Sequence, residues 1–312
     1  MNILLTGAAG QLGCELQPLL SRHGRVVATD RSTPASADRD WVGLDIGNAG
    51  KLEVLLNRLR PELIVNTAAY TAVDLAESDP ETSFGINATM PERLAAWAKR
   101  NDARLIHYST DYVFDGRADV PYLESDTPNP QNVYGESKLA GETAIAASGC
   151  QYVILRTSWV YSSHGKNFVL SMLELARKGL ALKIVNDQRG CPTWAHSLAL
   201  ASDAVIRKWQ SPELENRHGV FHYCDDLAVS WYDFAHKIFS LAVDAGLLQK
   251  EPELTPVPSA QFPQPAERPK CSVLNAQLIA DVFDIHPASF EQSLRAVIGE
   301  IAAKDQATGT QV

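Results

Sequence analysis

The chain is short of basic residues, of cysteine pairs and of long apolar runs, and each shortage removes a class of function. Lys and Arg number 28 against 37 Asp and Glu, a formal net charge of −9. No basic footprint for a nucleic-acid backbone is available, so no nucleic-acid partner is expected. An anionic small molecule stays compatible, because a few local Arg or Lys residues can hold a phosphate. The five cysteines (Cys14, Cys150, Cys191, Cys224 and Cys271) are scattered, odd in number and never at CxxC spacing. Neither a zinc site nor a disulfide framework is suggested, and reduced thiols fit a cytoplasmic protein. No apolar run has the length of a membrane span. The opening Met1-Asn2-Ile3-Leu4-Leu5 meets a Thr-Gly turn at once and has no basic leader, so no membrane partner is expected. What remains is ordinary for a globular chain, at 45% apolar and 21% charged residues. Its 312 residues suffice for one large or two modest domains.

The first half alternates short apolar runs with helical spacing. Ile3-Leu4-Leu5, Val26-Val27-Ala28, Leu63-Ile64-Val65, Arg104 to Tyr108 and Val153-Ile154-Leu155 read as strands. Leu12 to Leu20, Leu52 to Leu59 and Pro91 to Lys99 read as helices between them, with Pro91 suited to a first turn. The alternation predicts an α/β fold, a Rossmann-like doubly wound parallel sheet, with a smaller C-terminal substrate-binding α/β region. Residues 1–160 are read as the cofactor domain, with some later segments returning to it, and 161–303 as mainly the substrate domain. In the second region, Asn167 to Lys178 reads as a helix, Asn186 to Gly190 as a polar turn, and another helix follows Pro192. The stretch from Glu251 to Pro269 carries six prolines, which argue for an irregular loop packed over a cleft. Residues 304–312 read as a frayed, flexible tail.

Gly7-Ala8-Ala9-Gly10-Gln11-Leu12-Gly13 follows the first strand and opens a helix. Glycines there let the backbone approach a pyrophosphate, which the helix N-terminus then stabilises. Asp30, at the end of the second strand, is the acidic residue that bonds a ribose hydroxyl. Arg31 beside it suits the 2′-phosphate of NADP, so NADPH and NADH both stay open. Asp45 and Ile46 follow a third run, where the aspartate can reach an adenine amino group. Ala68, Ala69 and Tyr70 follow the next strand, with side chains small enough at 68 and 69 for backbone to lie against the cofactor.

Tyr134 and Lys138 stand four apart, on one face if helical. Reduction of a ketone by hydride transfer needs a proton donor at the developing alkoxide, and a phenol beside an ammonium can serve. The same lysine can bond the nicotinamide ribose. Thr110, at the end of the strand that starts at Arg104, has a hydroxyl able to bind the substrate carbonyl, with Ser109 the alternative. A strand-end hydroxyl followed by YxxxK about two dozen residues later is the arrangement of short-chain dehydrogenase/reductases. The GxxGxxG spacing is that of their extended branch.

Longer strings narrow the resemblance. MNILLTGAAGQLG (1–13), RPELIVNTAAYTAVDLAE (60–77), HYSTDYVFDG (107–116), NVYGESKLAGE (132–142), LRTSWVY (155–161), NDQRGCPT (186–193) and the Arg268-Pro269 pair resemble the dTDP-4-dehydrorhamnose reductase family. The likeness runs from Met1 to about Ile298. It implies hydride transfer from NADPH or NADH to the C4 ketone of a dTDP-linked hexulose, giving dTDP-L-rhamnose. Under it Tyr134 is the proton donor, Lys138 its electrostatic partner, and Thr110 and Asp111 lie at the sugar. Trp159 forms an apolar wall, and Asn167, Gln188 and Arg268 grip the nucleotide diphosphate, with Arg189 the alternative to Arg268. Arg156 supports the nicotinamide region or a structural carboxylate. Some members are described as pairing through Mg²⁺ held by three glutamates. Glu15 and Glu291 match two of those positions, but His196 stands at the third, and imidazole is a poor ligand for a hard cation. The expectation is therefore no metal, Glu15 and Glu291 as solvated helix residues, and a monomer or homodimer. Two rivals share the scaffold: a sugar-nucleotide epimerase or dehydratase, and a non-catalytic regulatory subunit. Against the dehydratase, no Glu follows Asp111; against the regulatory subunit, Thr110, Tyr134 and Lys138 are all present.

Overall fold

The computed structural model describes residues 1–34, 40–211 and 217–308. Seven strands build one sheet, every pair in it parallel: β1 (Asn2–Thr6), β2 (Arg25–Asp30), β3 (Trp41–Gly43), β4 (Leu63–Asn66), β5 (Arg104–Thr110), β6 (Gln151–Thr157) and the late strand Gly219–His222. Their spatial order is β3-β2-β1-β4-β5-β6, with Gly219–His222 outside β6. Such strands are covered on both faces, which is why the apolar runs are continuous rather than alternating. All four residues of β4 are buried, as are the last six of β5.

One face is covered by α1 (Gln11–Leu20) and the Ala195–Trp209 helix, whose Leu16, Leu20, Leu198 and Trp209 pack on Ile3, Leu5 and Ile106. The other face takes α2 (Ala49–Leu59) and the Met90–Arg100 helix, with Leu52, Leu56, Leu94 and Trp97 against Leu4, Ile64 and Leu105. Asn48 starts α2 by accepting a bond from Lys51 N at 3.0 Å, and Arg60 ends it in the left-handed region at φ 47°. Each strand expected in the sheet and each helix between is found within a residue or a few. The Gly219–His222 strand and the Ala195–Trp209 helix return to the first layer from far along the chain.

A separate apolar core holds the C-terminal region, built on Tyr161, Leu173, Phe234, Phe290 and Leu294. The Phe168–Arg177 helix matches the expected one, and Ala195–Trp209 is the helix expected after Pro192. Two expectations are corrected. The proline-rich stretch is not wholly irregular: Leu254–Val257 is a strand running parallel to Leu182–Val185, with Pro256 opposite Ile184. A pair of strands has only edges, so Pro256 can leave its nitrogen outside the ladder. The Phe290–Thr308 helix continues through residues 304–308, where a frayed tail was expected, and 309–312 lie outside the described residues. No helix among the described residues is long and apolar enough to cross a membrane.

Candidate active site

The strand order reverses beside β1, and the crevice at that switch point receives the loops after β1, β2, β4 and β5. Gly7 turns the chain at φ 68°, and a Cβ there would lie 2.6 Å from Ala68 N. A Cβ on Gly13 would lie 2.3 Å from Gly7 O. These two glycines therefore let the loop after β1 close on α1 and on the loop after β4. Gly10 caps α1 without a side chain, so first-turn amides stay open to an anionic group. Leu12 belongs to the core, which leaves only its backbone for a ligand.

Asp30 Oδ2 accepts from Ala9 N at 3.1 Å and Oδ1 from Arg31 N at 2.7 Å, so the carboxylate is already aimed at the glycine loop. Arg31 is exposed beside it. Asp45 is exposed and accepts from Gly47 N at 2.9 Å, while Ile46 is buried beneath. Ala68, Ala69 and Tyr70 are half-buried along the crevice. Asn87 fixes that loop, accepting from Tyr70 N and donating to Tyr70 O, both at 2.9 Å. It lies in a π-helical turn, Gly85–Thr89, of the kind that re-aims side chains at functional sites.

Tyr134 is in the first turn of the Val133–Ser148 helix, whose N-cap Asn132 accepts from Gly135 N at 2.8 Å. The phenol meets the Thr110 hydroxyl, and Tyr112 stands edge-on to its ring with centroids 5.9 Å apart. Thr110 Oγ1 donates to Asp111 Oδ1 at 3.1 Å and accepts from Tyr112 N at 3.2 Å. Of the two neighbouring hydroxyls, Thr110 rather than Ser109 thus faces Tyr134. Burial pushes the Tyr134 phenol up to about 12, the Thr110 contact pulls it down, and the Asp111 charge pushes it up again. Burial likewise lifts Asp111 to about 7 against the pull of the Ser272 and Thr110 hydroxyls. The groups acting on the phenol are these, and Lys138 is not among them. Lys138 is buried one turn further on, where Nζ donates to Tyr108 O at 2.6 Å and meets His107 Nε2 at 3.2 Å. Between the two residues, Ser137 accepts from Asn87 Nδ2 at 3.0 Å, tying this helix to the Tyr70 loop.

Trp159 is held in the left-handed region at φ 48° and stacks on Trp231 at 3.5 Å, with its indole over Gly190. Strain of this kind at a cleft-side residue persists only where neighbours impose it. Gln188 is buried in the turn leading to Arg189, whose backbone bonds Lys270 and Ser272. Arg189 is exposed, while Arg268 is clasped by Asp74 and reaches Tyr112. Asn167 directly precedes the Phe168–Arg177 helix. Its amide caps the Phe168–Arg177 helix through Leu170 N and donates to Gln11 Oε1 at 2.9 Å. Arg156 serves a structural carboxylate, pairing with buried Glu142 at 2.6 Å.

Of the three positions weighed for Mg²⁺, Glu15 bonds His196 at 2.9 Å and is half-buried, whereas Glu291, 56% exposed, is a solvated helix residue bonded to Lys237 at 2.9 Å. Among the described residues no three metal-binding side chains converge. Sequence reasoning missed Asn87, His107, Asp74 and Trp231. Only His107 had a local signal, as a buried-type strand position holding an ionisable ring.

Comparison with known proteins follows the same lines. The family model for the RmlD substrate binding domain matches residues 1–303. The dTDP-4-dehydrorhamnose reductase of Salmonella typhimurium is 40% identical over 302 residues, covering 96% of this chain and 98% of that protein. The crystal structure of a dTDP-4-dehydrorhamnose reductase from Clostridium acetobutylicum superposes with a TM-score of 0.85 at 38% identity, over 96% of this chain and 99% of that one. That of Bacillus anthracis, solved in complex with NADP, gives 0.84 at 32% identity over 96% and 99%. The chain belongs to the dTDP-4-dehydrorhamnose reductase family, a family of oxidoreductases.

Proposed function

We propose that the chain reduces the C4 ketone of dTDP-4-dehydro-L-rhamnose to dTDP-L-rhamnose with NADPH or NADH, Tyr134 donating the proton. The observation that carries this reading is the Tyr134 phenol against the Thr110 hydroxyl, held protonated at neutral pH by burial. When bound, the reduced nicotinamide supplies the hydride. Tyr134 and Thr110, the latter turning its hydroxyl from Asp111, donate to the ketone oxygen, and its charge grows as the carbonyl is reduced. A secondary alkoxide is more basic than a phenolate, so the phenol proton passes to it downhill. Lys138 bonds the ribose of the bound cofactor. Gly7, Gly10, Gln11 and Gly13 surround the pyrophosphate, Asp30 or Arg31 the adenosine ribose and its substituent, Asp45 and Ile46 the adenine. Asp111, Trp159, Gln188 and Arg268 serve the sugar nucleotide. In this division residues 1–160 with the returning segments hold the cofactor, and 161–303 mainly the substrate. Asn167 acts indirectly, through Gln11.

The test is oxidation of NADPH and of NADH with the 4-keto sugar nucleotide, parent beside Tyr134→Phe. Turnover is expected to fall at least ~100-fold, as for loss of a general acid. Stoichiometric consumption of the reduced cofactor separates a reductase from an epimerase that retains NAD. Unchanged turnover in Tyr134→Phe removes the residue from its role.

A further inference from the structure

Behind the lysine lies a file of buried polar side chains that no step above uses. Thr6 Oγ1 is 2.6 Å from Asn66 Oδ1, Asn66 Nδ2 is 2.9 Å from His107 Nδ1, and His107 Nε2 is 3.2 Å from Lys138 Nζ. Each of these four residues is at most 2% exposed. They come from the ends of β1 and β4, the middle of β5 and the helix carrying Tyr134, so the file crosses the sheet beneath the crevice.

We propose that His107 is a positioning residue whose tautomer, set against Asn66, is coupled to the charge of Lys138. The inference rests on the reading of Lys138 as a working cation, and the proton inventory carries it. An ammonium only donates, and Lys138 already donates to Tyr108 O at 2.6 Å. His107 is kept neutral: burial, then the neighbouring lysine, holds its pKa well below the usual range. A neutral imidazole has one donor and one acceptor nitrogen. If Lys138 is charged, Nε2 must accept from it, so Nδ1 carries the hydrogen and Asn66 must turn its oxygen toward the ring. If Asn66 turns its nitrogen toward Nδ1, the hydrogen sits on Nε2 and Lys138 must be the neutral amine that accepts it. Thr6, whose hydroxyl both donates and accepts, satisfies the amide in either orientation. Asn66 faces Nδ1 with its nitrogen here, the amide orientation of the second setting, and the charged lysine of the proposed mechanism requires the first.

The titratable groups facing this pair are few. Glu142, one turn along the same helix and paired with Arg156, favours the ammonium. Burial is the larger influence and lowers Lys138 to about 8, so the two settings exchange close to neutral pH. Asn66 and Thr6 contribute no charge from β4 and β1, and Asp111 acts on Tyr134 instead.

The direct test is histidine-selective ¹⁵N NMR of the whole protein from about pH 6 to about pH 10. His107 is expected to pass from the Nδ1–H to the Nε2–H tautomer as pH rises, without becoming imidazolium. One tautomer throughout overturns the proposal. A second arm compares His107→Leu, which removes the acceptor, with His107→Gln, whose amide oxygen restores it. The basic limb of kcat/KM is expected to move down by about one pH unit in His107→Leu, and to stay in place in His107→Gln. A folded His107→Leu protein with the parent profile also overturns it, and if that variant does not fold the titration decides. Turnover unchanged in Tyr134→Phe defeats the proton-donor role of Tyr134 alone, and failure to oxidise NADPH or NADH defeats the reductase reading alone, because the tautomer exchange is read without turnover.

Discussion

Arg268 grips Asp74 with both guanidinium ends, Nη1 to Oδ1 at 2.6 Å and Nη2 to Oδ2 at 2.8 Å. The same carboxylate accepts from Ala266 N at 3.2 Å, and Asn132, the cap of the Tyr134 helix, donates to Glu267 O at 2.7 Å. The strap 266–268 is thus fastened both to the segment after β4 and to the helix that carries Tyr134. The Arg268 bonds and the Ala266 amide hold Asp74 below the usual carboxylate range against a modest burial effect. Since Asp74 is 38% exposed, solvent screens the pair and its worth is discounted. Asp74→Ala is expected to raise KM for the sugar nucleotide about 10-fold, or ~1.4 kcal/mol, and to leave KM for NADPH unchanged. Steady-state kinetics with each substrate varied in turn checks this. A rise in both KM values refutes a role confined to the strap.

Asn87 joins three elements by its side chain alone: Tyr70 N, Tyr70 O and Ser137 Oγ. Ser137 also accepts from Ser83 Oγ at 3.0 Å, so the buried polar side chains at the junction bond one another. Asn87→Ala leaves the part-buried backbone N–H and C=O of Tyr70 without this partner, at about 1–3 kcal/mol. The expected outcome is a lower Tm and a several-fold rise in KM for NADPH. Thermal unfolding with and without NADPH reads both, since a weakened cofactor site shrinks the ligand-induced rise in Tm.

What could be read in the chain, and what could not, follows from distance along it. Gly7, Asp30, Thr110, Tyr134 and Lys138 sit in short segments where a strand end or helix start is visible, and local rules decide their conformation. The five apolar runs declared the sheet because buried parallel strands need them. Gly219–His222 escaped notice: four residues with two apolar ones make no pattern, and its place is settled by pairing with β6. Asp74 and Arg268 are 194 residues apart, and Asn87 and Ser137 are 50 apart, so nothing local announces either contact. For Asn167 the two kinds of reasoning compete. Resemblance assigns it to the substrate, whereas an Asn directly before a helix is a cap by its own chemistry, and the cap is what is found.

Gly190 is where Trp159 finds room. A Cβ at position 190 would lie 2.6 Å from the indole, whose other face is covered by Trp231. The ring cannot retreat, so Gly190→Ala must push it toward the crevice or shift the backbone, an overpacking cost of about 1–3 kcal/mol. The variant is expected to lose Tm and to bind the sugar nucleotide more weakly, with a change in Trp fluorescence reporting the displaced stack. Trp159→Ala in the Gly190→Ala background is expected to recover the lost Tm. Failure of that rescue shows the clash lies elsewhere.

Asp225 provides a pH test away from the chemistry. It is 1% exposed, and Oδ2 accepts from Trp194 N at 3.3 Å. Burial lifts its carboxyl to about 7, against the pull of the Trp194 amide and the Ser293 and Ser197 hydroxyls. A folded-state pKa above the unfolded value near ~3.9 means the native state binds more protons between those two limits. Stability from this group therefore falls as pH rises from about 4 to about 7, and the penalty is complete above that. Asp111 adds to the same trend, because burial raises it to about 7 as well. Asp225→Asn keeps an oxygen for Trp194 N and removes the buried charge. Its Tm is expected to exceed that of the parent by several degrees at pH ~8, and the advantage is expected to shrink toward pH ~5. The sign of this trend is the check: an advantage that grows on acidification means that Asp225 is stabilised as a carboxylate, and its burial does not dominate.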